Sequence, residues 1–265
     1  SNLPRLVTGD LVVWSDDGAD GGVVLALGQR RNFFGRPSPE GQFKAMAANI
    51  DSVLVVFASS PTPHVSLIDR YLVAIEQLQL TAVLVLNKLD LLNQEELANL
   101  DSMLSPYRDI GYPVYKVSAE DGRGMIELEE LLASQTTILV GQSGVGKSSL
   151  LNKLSSGKLA DVAPLSETWG RGTHTTTTSS LYHMPGFDLI DSPGIREFGL
   201  GHIDEQQVFE GFIEFRQFAG SCKFRDCSHR HEPGCALQAA LEAGQIGVER
   251  VESYFRIIDS LNELG

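Results

Sequence analysis

The sequence predicts an α/β protein in which a mostly parallel β-sheet carries helices on both faces. Short, almost continuous apolar runs alternate with segments of helical periodicity between residues 52 and 155, and turn-forming loops follow several of these runs. Strands buried on both faces and joined by helices are typical of parallel sheets. A short β-rich segment precedes this region and a helical segment follows it, so we expect domains at 1–45, 46–202 and 203–265.

The elements follow from periodicity and from turn residues. Short β-branched runs predict strands at 11–14 and 22–28. In the middle region the expected strands are 52–59, 81–88, 113–120 and 136–144, and the expected helices are 64–79, 94–111, 124–132 and 147–155. The runs "SSLYHM" and "FDLIDSPG", divided by Pro-Gly, predict a hairpin. Helical segments are expected at 205–218, 235–244 and 247–264.

Composition narrows the functional class. The 265 residues are 42% hydrophobic and carry a net charge of -13, which disfavours a free nucleic-acid-binding protein with a broad basic surface. No apolar run approaches the roughly 20 residues of a membrane span, and the first residues lack a signal-peptide pattern. Three cysteines clustered between 222 and 235 argue against a disulfide framework. We therefore expect a cytoplasmic protein, and nothing in the sequence requires more than a monomer.

The segment "GQSGVGKSS" predicts a phosphate-binding loop, because it lies between an apolar strand and a helix. Its glycines allow backbone N–H groups to surround phosphate oxygens, and the following helix directs its N-terminus at the same anion. Lys147 adds a positive charge at the β and γ phosphates, and the Ser148 hydroxyl can ligate Mg²⁺. The residues expected at the nucleotide here are Gly141, Gln142, Ser143, Gly144, Val145, Gly146, Lys147, Ser148 and Ser149.

Two further segments complete a guanine-nucleotide site. In "LIDSPG", Asp191 ends a strand where its carboxylate can hold Mg²⁺, and Gly194 can donate a backbone N–H to the γ-phosphate. In "NKLD", Asp90 can accept two hydrogen bonds from guanine, a donor pair that adenine lacks. Asn87 and Lys88 can brace that loop and the base, and Ser118-Ala119 can offer a backbone N–H to the guanine O6.

The segment "GRGTHTTTTSS" lies where a switch that senses the γ-phosphate and Mg²⁺ is expected. Thr175 and Thr176 are both candidates for that role. The guanine-reading segment precedes the phosphate loop, which reverses the usual GTPase order. Because all these loops follow strands of one parallel sheet, they can still meet at one edge. The reversal also joins the switch to the C-terminal segment, so sensing of the γ-phosphate could move that segment.

These motifs resemble the RsgA (YjeQ) family of circularly permuted ribosome-biogenesis GTPases. The resemblance is carried by "AANIDSVLVV", "NKLDLL", "GQSGVGKSSLLNKL", "HTTT", "IDSPGIREFGL" and the Cys/His segment, and it covers nearly the whole chain. It implies an N-terminal OB-type β-barrel, a permuted GTPase core and a C-terminal zinc domain. It also implies a role in late maturation of the bacterial small ribosomal subunit. The β segment before residue 45 is too short for a five-stranded barrel, so a partial barrel is expected.

Hydrolysis needs a group that orients the attacking water. Many GTPases place glutamine just after the Asp-x-x-Gly motif, but Ile195 stands there in this chain. We therefore expect slow intrinsic hydrolysis that docking on the small subunit stimulates. His174, inside the switch, is the candidate for orienting or deprotonating water, and an exposed loop histidine is the alternative interpretation. A metabolic P-loop kinase or ATPase, and a nucleic-acid-binding module with a non-hydrolysing nucleotide sensor, remain open at this point.

The segment "CKFRDCSHRHEPGC" predicts a structural zinc site. Cys222, Cys227, His229 and Cys235 would fill all four tetrahedral positions, with His231 as the rival to His229. A local basic surface, Arg216, Lys223, Arg225 and Arg230 against Asp226 alone, could meet rRNA phosphates despite the acidic whole. A solvated rim around the metal is the alternative interpretation of those charges. GTP or GDP, Mg²⁺ and one Zn²⁺ are therefore the expected ligands.

Overall fold

The computed structural model describes residues 4–16, 18, 22–37, 43–155, 179–191, 200 and 203–263. Its strands are β1 (Val12–Asp16), β2 (Gly22–Leu27), β3 (Phe33–Pro37), β4 (Phe43–Ala48), β5 (Ser52–Ala58), β6 (Thr81–Asn87), β7 (Val114–Lys116), β8 (Thr136–Val140), β9 (Ser180–Met184) and β10 (Phe187–Asp191). Its helices are α1 (Val65–Gln77), α2 (Gln94–Asp109), α3 (Met125–Leu132), α4 (Lys147–Leu154), α5 (Glu205–Gly211), α6 (Ala236–Glu242) and α7 (Val248–Asn262).

The centre of the molecule is a six-stranded sheet of order β7-β6-β5-β8-β10-β9. All neighbouring pairs in it are parallel except β9 and β10, which form the antiparallel hairpin expected around Pro185-Gly186. Successive residues of β5 alternate between two cores: Val53, Val55 and Phe57 face one, and Leu54, Val56 and Ala58 face the other. The mostly parallel sheet buried on both faces is therefore confirmed.

The two faces of the sheet carry different helices. Helices α3 and α4 cover one face, where the leucines of both helices pack against β5, β6 and β8. Helices α1 and α2 cover the other face, and the C-terminal helices α5, α6 and α7 share that same core. Nearly every residue in the central turns of α1 is buried because the helix lies between the sheet and the C-terminal module.

Several sequence expectations need adjustment at element ends. The helix expected over 205–218 ends at Gly211 and continues as a 3-10 segment, Ile213–Phe218. At Gly211 a side chain would lie only 3.0 Å from the Val73 Cα atom, so the chain approaches α1 too closely for another residue there. Strand β7 is only three residues long, and strands β3 and β4, which carry no clear alternation, were not predicted.

The N-terminal β segment consists of two antiparallel pairs, β1 with β2 and β3 with β4. Apolar residues of the first pair are open to solvent, since Trp14 is 59% exposed and Leu25 is 58% exposed. Arg31 donates to the Asp51 carboxylate, and Asp51 also accepts from the backbone N–H of Thr136, which ties this segment to the beginning of β8. This N-terminal β segment is thus held on the sheet by side-chain contacts.

A buried ion-pair network fastens the C-terminal module to the core. Arg250 of α7 forms a salt bridge with Asp69 of α1, and both side chains are almost fully buried. The Arg250 Nε atom also donates to Glu214 Oε1 at 2.6 Å, and the Tyr107 hydroxyl donates to Asp69 Oδ1 at 2.7 Å. Desolvation raises the pKa of the Asp69 carboxyl, although the Arg250 charge opposes this. The module is therefore packed on α1 and is not joined to the core by the connecting chain alone.

Candidate nucleotide and metal sites

The glycine loop after β8 adopts a backbone that requires its glycines. Gly141, Gly144 and Gly146 have φ angles of 141°, 84° and 93°. A Cβ atom at Gly141 would lie 2.0 Å from the Val56 carbonyl oxygen, and one at Gly146 would lie 2.4 Å from Asn87 Nδ2. Other residues would be strained at these positions and would collide with the neighbouring strand or loop. This is the close backbone packing that a phosphate-binding loop needs.

The loop places a cation and two exposed serines at the start of α4. Lys147 begins α4, and its Nζ atom lies 2.7 Å from the carbonyl oxygens of both Gly141 and Gln142. Its charge is therefore at the mouth of the loop, beside the free N–H groups of the α4 N-terminus. Ser148 and Ser149 follow it on the first turn of α4 and are exposed. Loop, ammonium and helix end together form an anion-binding pocket.

The guanine-reading segment contacts the phosphate loop directly. Asn87, 1% exposed at the end of β6, donates from Nδ2 to the Val145 carbonyl oxygen at 3.1 Å. Its Oδ1 atom accepts from the backbone N–H of Ala119 at 3.2 Å. The Lys88 ammonium lies 2.5 Å from the Gly144 carbonyl oxygen. One buried amide thus links three loops that are distant in sequence.

Asp90 is held in place from the third of these loops. The buried Ser118 hydroxyl donates to Asp90 Oδ1 at 2.7 Å, while Asp90 itself is exposed. Ser118 also accepts from the backbone N–H of Asp121, which closes the loop after β7. The carboxylate therefore has a fixed direction at the sheet edge and remains accessible to a base.

Strand β10, which carries the predicted magnesium ligand Asp191, ends at the same edge of the sheet. Asp191 is the last residue of β10, and it pairs with Leu139 of the parallel strand β8, two residues before Gly141. The other predicted elements of this side, His174, Thr175, Thr176, Gly194 and Ile195, lie outside the described residues.

One contributor to this edge was not predicted. Strand β5 also ends there, and the carbonyl oxygen of Ser60 accepts from the Lys88 ammonium at 2.9 Å. Pro61 follows, with its Cδ atom 3.7 Å from where a Gly144 Cβ atom would be. The segment 59–64 has no recognisable motif. Its position could have been inferred only from the rule that all parallel strands end at one edge.

The cysteine and histidine side chains of the C-terminal segment converge. The ligand atoms of Cys222, Cys227, His229 and Cys235 all lie within 4.8 Å of one another. The Sγ atoms of Cys222 and Cys235 are 3.9 Å apart, and His229 Nδ1 is 3.4 Å from the Cys235 sulfur. His231 is not part of this cluster. The arrangement could hold a metal ion.

Burial and crowding prepare these groups for a cation. Burial lowers the pKa of His229, which favours the neutral imidazole that binds metals. Desolvation and the neighbouring thiols raise the pKa of Cys227 to about 12, so a thiolate at Cys227 needs a compensating positive charge. The backbone N–H of Ala236, at the start of α6, already donates to the Cys222 sulfur. These features match the needs of a structural metal ion.

Comparison with known proteins gives matches to one family over most of the chain. A sequence profile described as RsgA GTPase matches residues 27–201. A protein of Azotobacter vinelandii named small ribosomal subunit biogenesis GTPase RsgA is 53% identical over 264 residues, which cover 99% of this chain and 77% of that protein. A Pseudomonas putida protein of the same name has the same identity and coverage.

Solved structures agree as well. The crystal structure of YjeQ from Thermotoga maritima matches with a TM-score of 0.78 and 31% identity, over 97% of this chain and 84% of that one. YloQ, described as a circularly permuted GTPase, matches with a TM-score of 0.77 and 28% identity, over 100% of this chain and 83% of that one. The permuted core and the resemblance in the motifs are confirmed. The chain belongs to the RsgA GTPase family.

Proposed function

We propose that this chain binds and hydrolyses GTP while it assists late maturation of the bacterial small ribosomal subunit. The observation that carries the proposal is the contact of Asn87 with both the phosphate loop and the Ser118-Ala119 loop. This contact brings the base-reading segment and the phosphate-binding segment together, although their order along the chain is reversed. The names of relatives that are 53% identical over nearly the whole chain supply the ribosomal role.

Each nucleotide-binding residue has a physical role in this proposal. Asp90 accepts the two guanine donors, and the backbone N–H of Ala119, which bonds to Asn87 Oδ1 at 3.2 Å, would turn to the guanine O6 when the base binds. Lys147 and the backbone of 141–149 hold the phosphates, and Gly194 donates to the γ-phosphate. Ser148 and Asp191 hold Mg²⁺, together with Thr175 or Thr176. The metal ion neutralises charge that develops on the phosphate oxygens. His174 orients the attacking water, since Ile195 cannot do so.

The metal of the C-terminal cluster is proposed to be Zn²⁺. With Zn–S bonds of about 2.3 Å, two sulfurs of a tetrahedral site are separated by roughly 3.8 Å. The distance of 3.9 Å between the Cys222 and Cys235 sulfurs fits this value. Three thiolates and one imidazole leave no open coordination position, so the ion is structural and takes no part in hydrolysis.

The proposal also covers the domain boundaries, the location and the partners of the protein. The proposed domains are 1–45, a partial OB-type barrel; 46–202, the permuted GTPase core; and 203–265, the zinc domain. The protein acts in the cytoplasm as a monomer, and its partners are the small subunit and the rRNA in it. No helix among the described residues is long and apolar enough to cross a membrane.

The decisive experiment measures GTP turnover with and without purified small ribosomal subunits. Stimulation by subunits, and competition by GDP but not ATP, are the expected results. Unchanged turnover with subunits would contradict the ribosomal role. A His174→Ala variant tests the catalytic assignment separately: it should bind GTP normally but lose the stimulated rate. Full stimulation of that variant would assign the water to another group.

A further inference from the structure

The metal cluster presents a short exposed loop, residues 223–226, between two of its ligands. Cys222 and Cys227 flank the loop, and all four residues between them are exposed. The backbone N–H of Lys223 donates to the Gly234 carbonyl oxygen at 3.0 Å, which ties the loop to the other end of the cluster. A bound metal would therefore hold this loop at both ends, so its side chains are presented from a fixed backbone.

The loop exposes an aromatic ring. Phe224 is 42% exposed, whereas Phe209, Phe215 and Tyr254 of the same module are buried against one another. The Lys223 ammonium lies 5.4 Å from the centre of the Phe224 ring. An exposed ring with cations beside it is the combination on which unpaired nucleobases stack.

The basic residues of this segment fall into two groups. Arg216 forms a salt bridge with Glu76, and Arg230 forms one with Asp259. In the part of the chain that the structure describes, Lys223 and Arg225 form no salt bridge. The two cations that are not neutralised are thus the ones on either side of Phe224.

Acidic groups nearby restrict which nucleic acid can bind. The loop borders a cleft of about 640 Å³ whose lining includes Glu205, Glu210 and Asp226. The two phosphate rows of a duplex would bring further negative charge against these carboxylates. A single strand needs only the two phosphates that flank one stacked base, and Lys223 and Arg225 suffice for those.

We propose that Lys223, Phe224 and Arg225 form a stacking site for one unpaired base of single-stranded RNA. Phe224 covers the base, and the two cations bind the phosphates before and after it. The choice of RNA as the partner rests on the proposed function. The site itself rests on the exposed ring, the unpaired cations and the loop held between metal ligands.

The test uses the full chain and a fluorescein-labelled single-stranded RNA decamer of mixed sequence, with binding followed by anisotropy at several salt concentrations. Phe224→Leu keeps an apolar side chain but removes the ring, and should weaken binding about tenfold. Phe224→Trp should bind at least as well as the unaltered chain. Replacing Lys223 and Arg225 together by alanine should reduce the slope of log affinity against log salt by about 1.4.

Controls separate the possible failures. Val248→Ala changes another exposed apolar residue of the module, 56% exposed, and should leave RNA binding unchanged. Zinc content and thermal unfolding of each variant show that the module is intact. Equal binding by Phe224→Leu and the unaltered chain would overturn the proposal. Weaker binding of that variant to small subunits, with unchanged binding to the decamer, would also overturn it, because the contact would then be to protein. Subunit-stimulated turnover of the unaltered chain tests the proposed function independently.

Discussion

The nucleotide edge and the metal cluster differ in how the chain brings their residues together. The nucleotide edge collects Ser60, Asn87, Ser118 and Gly141, and these meet because parallel strands end at one side of the sheet. The metal cluster takes four ligands from 14 consecutive residues. The first arrangement is held by hydrogen bonds of the protein alone. The second places three thiols in contact and needs a cation to be stable.

This difference predicts different responses to ligand removal. Asn87 is buried and bonded on both sides by protein groups, so the nucleotide edge keeps its shape whether or not GTP is bound. Cys227 is in the opposite situation. Its thiol must ionise to bind a metal ion, but its raised pKa makes ionisation unfavourable until the ion is bound. The fold makes the first site, whereas metal binding completes the second.

The largest expected effect is that of removing the metal. Apparent free energies of structural zinc binding are about 10 to 16 kcal/mol, more than the stability of most domains. A zinc-selective chelator, or Cys222→Ser, should therefore unfold the segment around 220–244. Hydrogen exchange followed by mass spectrometry should show lost protection there.

The same experiment should leave the nucleotide edge intact. Peptides over 81–90 and 136–150 should stay protected, and binding of a fluorescent GDP analogue in excess Mg²⁺ should change by less than about threefold, roughly 0.7 kcal/mol. Simultaneous loss of protection at both regions would show that the two sites are one cooperative unit.

The second prediction concerns the junction between the two regions. Arg250→Met removes the cation from a site where the side chains of Asp69 and Glu214 are 0% and 8% exposed, and should destabilise the protein by about 3 to 5 kcal/mol. Asp69 would then remain protonated in the folded state, with its pKa raised further above the unfolded value. Stability of the variant should therefore fall as pH rises above about 4, and its deficit should be larger at pH 8 than at pH 5.

Urea unfolding at the two pH values measures this deficit. Asp69→Asn added to Arg250→Met is the matched control, because the amide fills the same space without a charge. The double variant should recover part of the loss and much of the pH dependence. A single variant as stable as the parent chain would mean that Arg250 does not fasten the module to α1.

The third prediction is confined to the nucleotide edge. Asp90→Asn keeps an oxygen that can accept from the Ser118 hydroxyl, so the loop should persist. The new amide cannot accept both guanine donors, and GTP affinity should fall about a hundredfold, roughly 2.7 kcal/mol. Xanthine carries an oxygen in place of the 2-amino group and matches the amide. Competition binding should therefore show that XTP displaces GTP in the variant, and retained GTP preference would contradict the base-reading role.

The sequence predicted the parts of the molecule that depend on repeated or local patterns. Almost continuous apolar runs such as 52–58 located the core strands, and the parallel arrangement predicted that the loops meet at one edge of the sheet. The clustered cysteines located the metal site. The sequence also predicted His229 as the fourth ligand, with His231 as the rival, and the structure places His229 and not His231 in the cluster.

Other features depend on long-range packing and left no local signal. Asp69 is one of two acidic residues in α1, and nothing near it in sequence indicates that Arg250, 181 positions away, lies against it. The close approach of Gly211 to Val73 of α1 is likewise a contact between segments that are distant in sequence. Ser60 was missed for the same reason, since it contributes a backbone carbonyl whose position depends on the sheet and not on residue type.

The smallest expected effect is that of removing the exposed salt bridge between Arg216 and Glu76, which joins the same two regions as the buried pair of Arg250 and Asp69. Arg216 joins the C-terminal module to Glu76 of α1 at 2.7 Å, but its side chain is 47% exposed. Exposed salt bridges contribute about 0 to 1 kcal/mol because solvent screens the charges and side-chain freedom is lost. Arg216→Ala should therefore lower the free energy of unfolding by less than about 1 kcal/mol, and the small deficit should shrink further at high salt. A deficit that matched Arg250→Met and persisted in salt would mean that contacts at the rim, and not the buried network, hold the metal-binding module on the GTPase core.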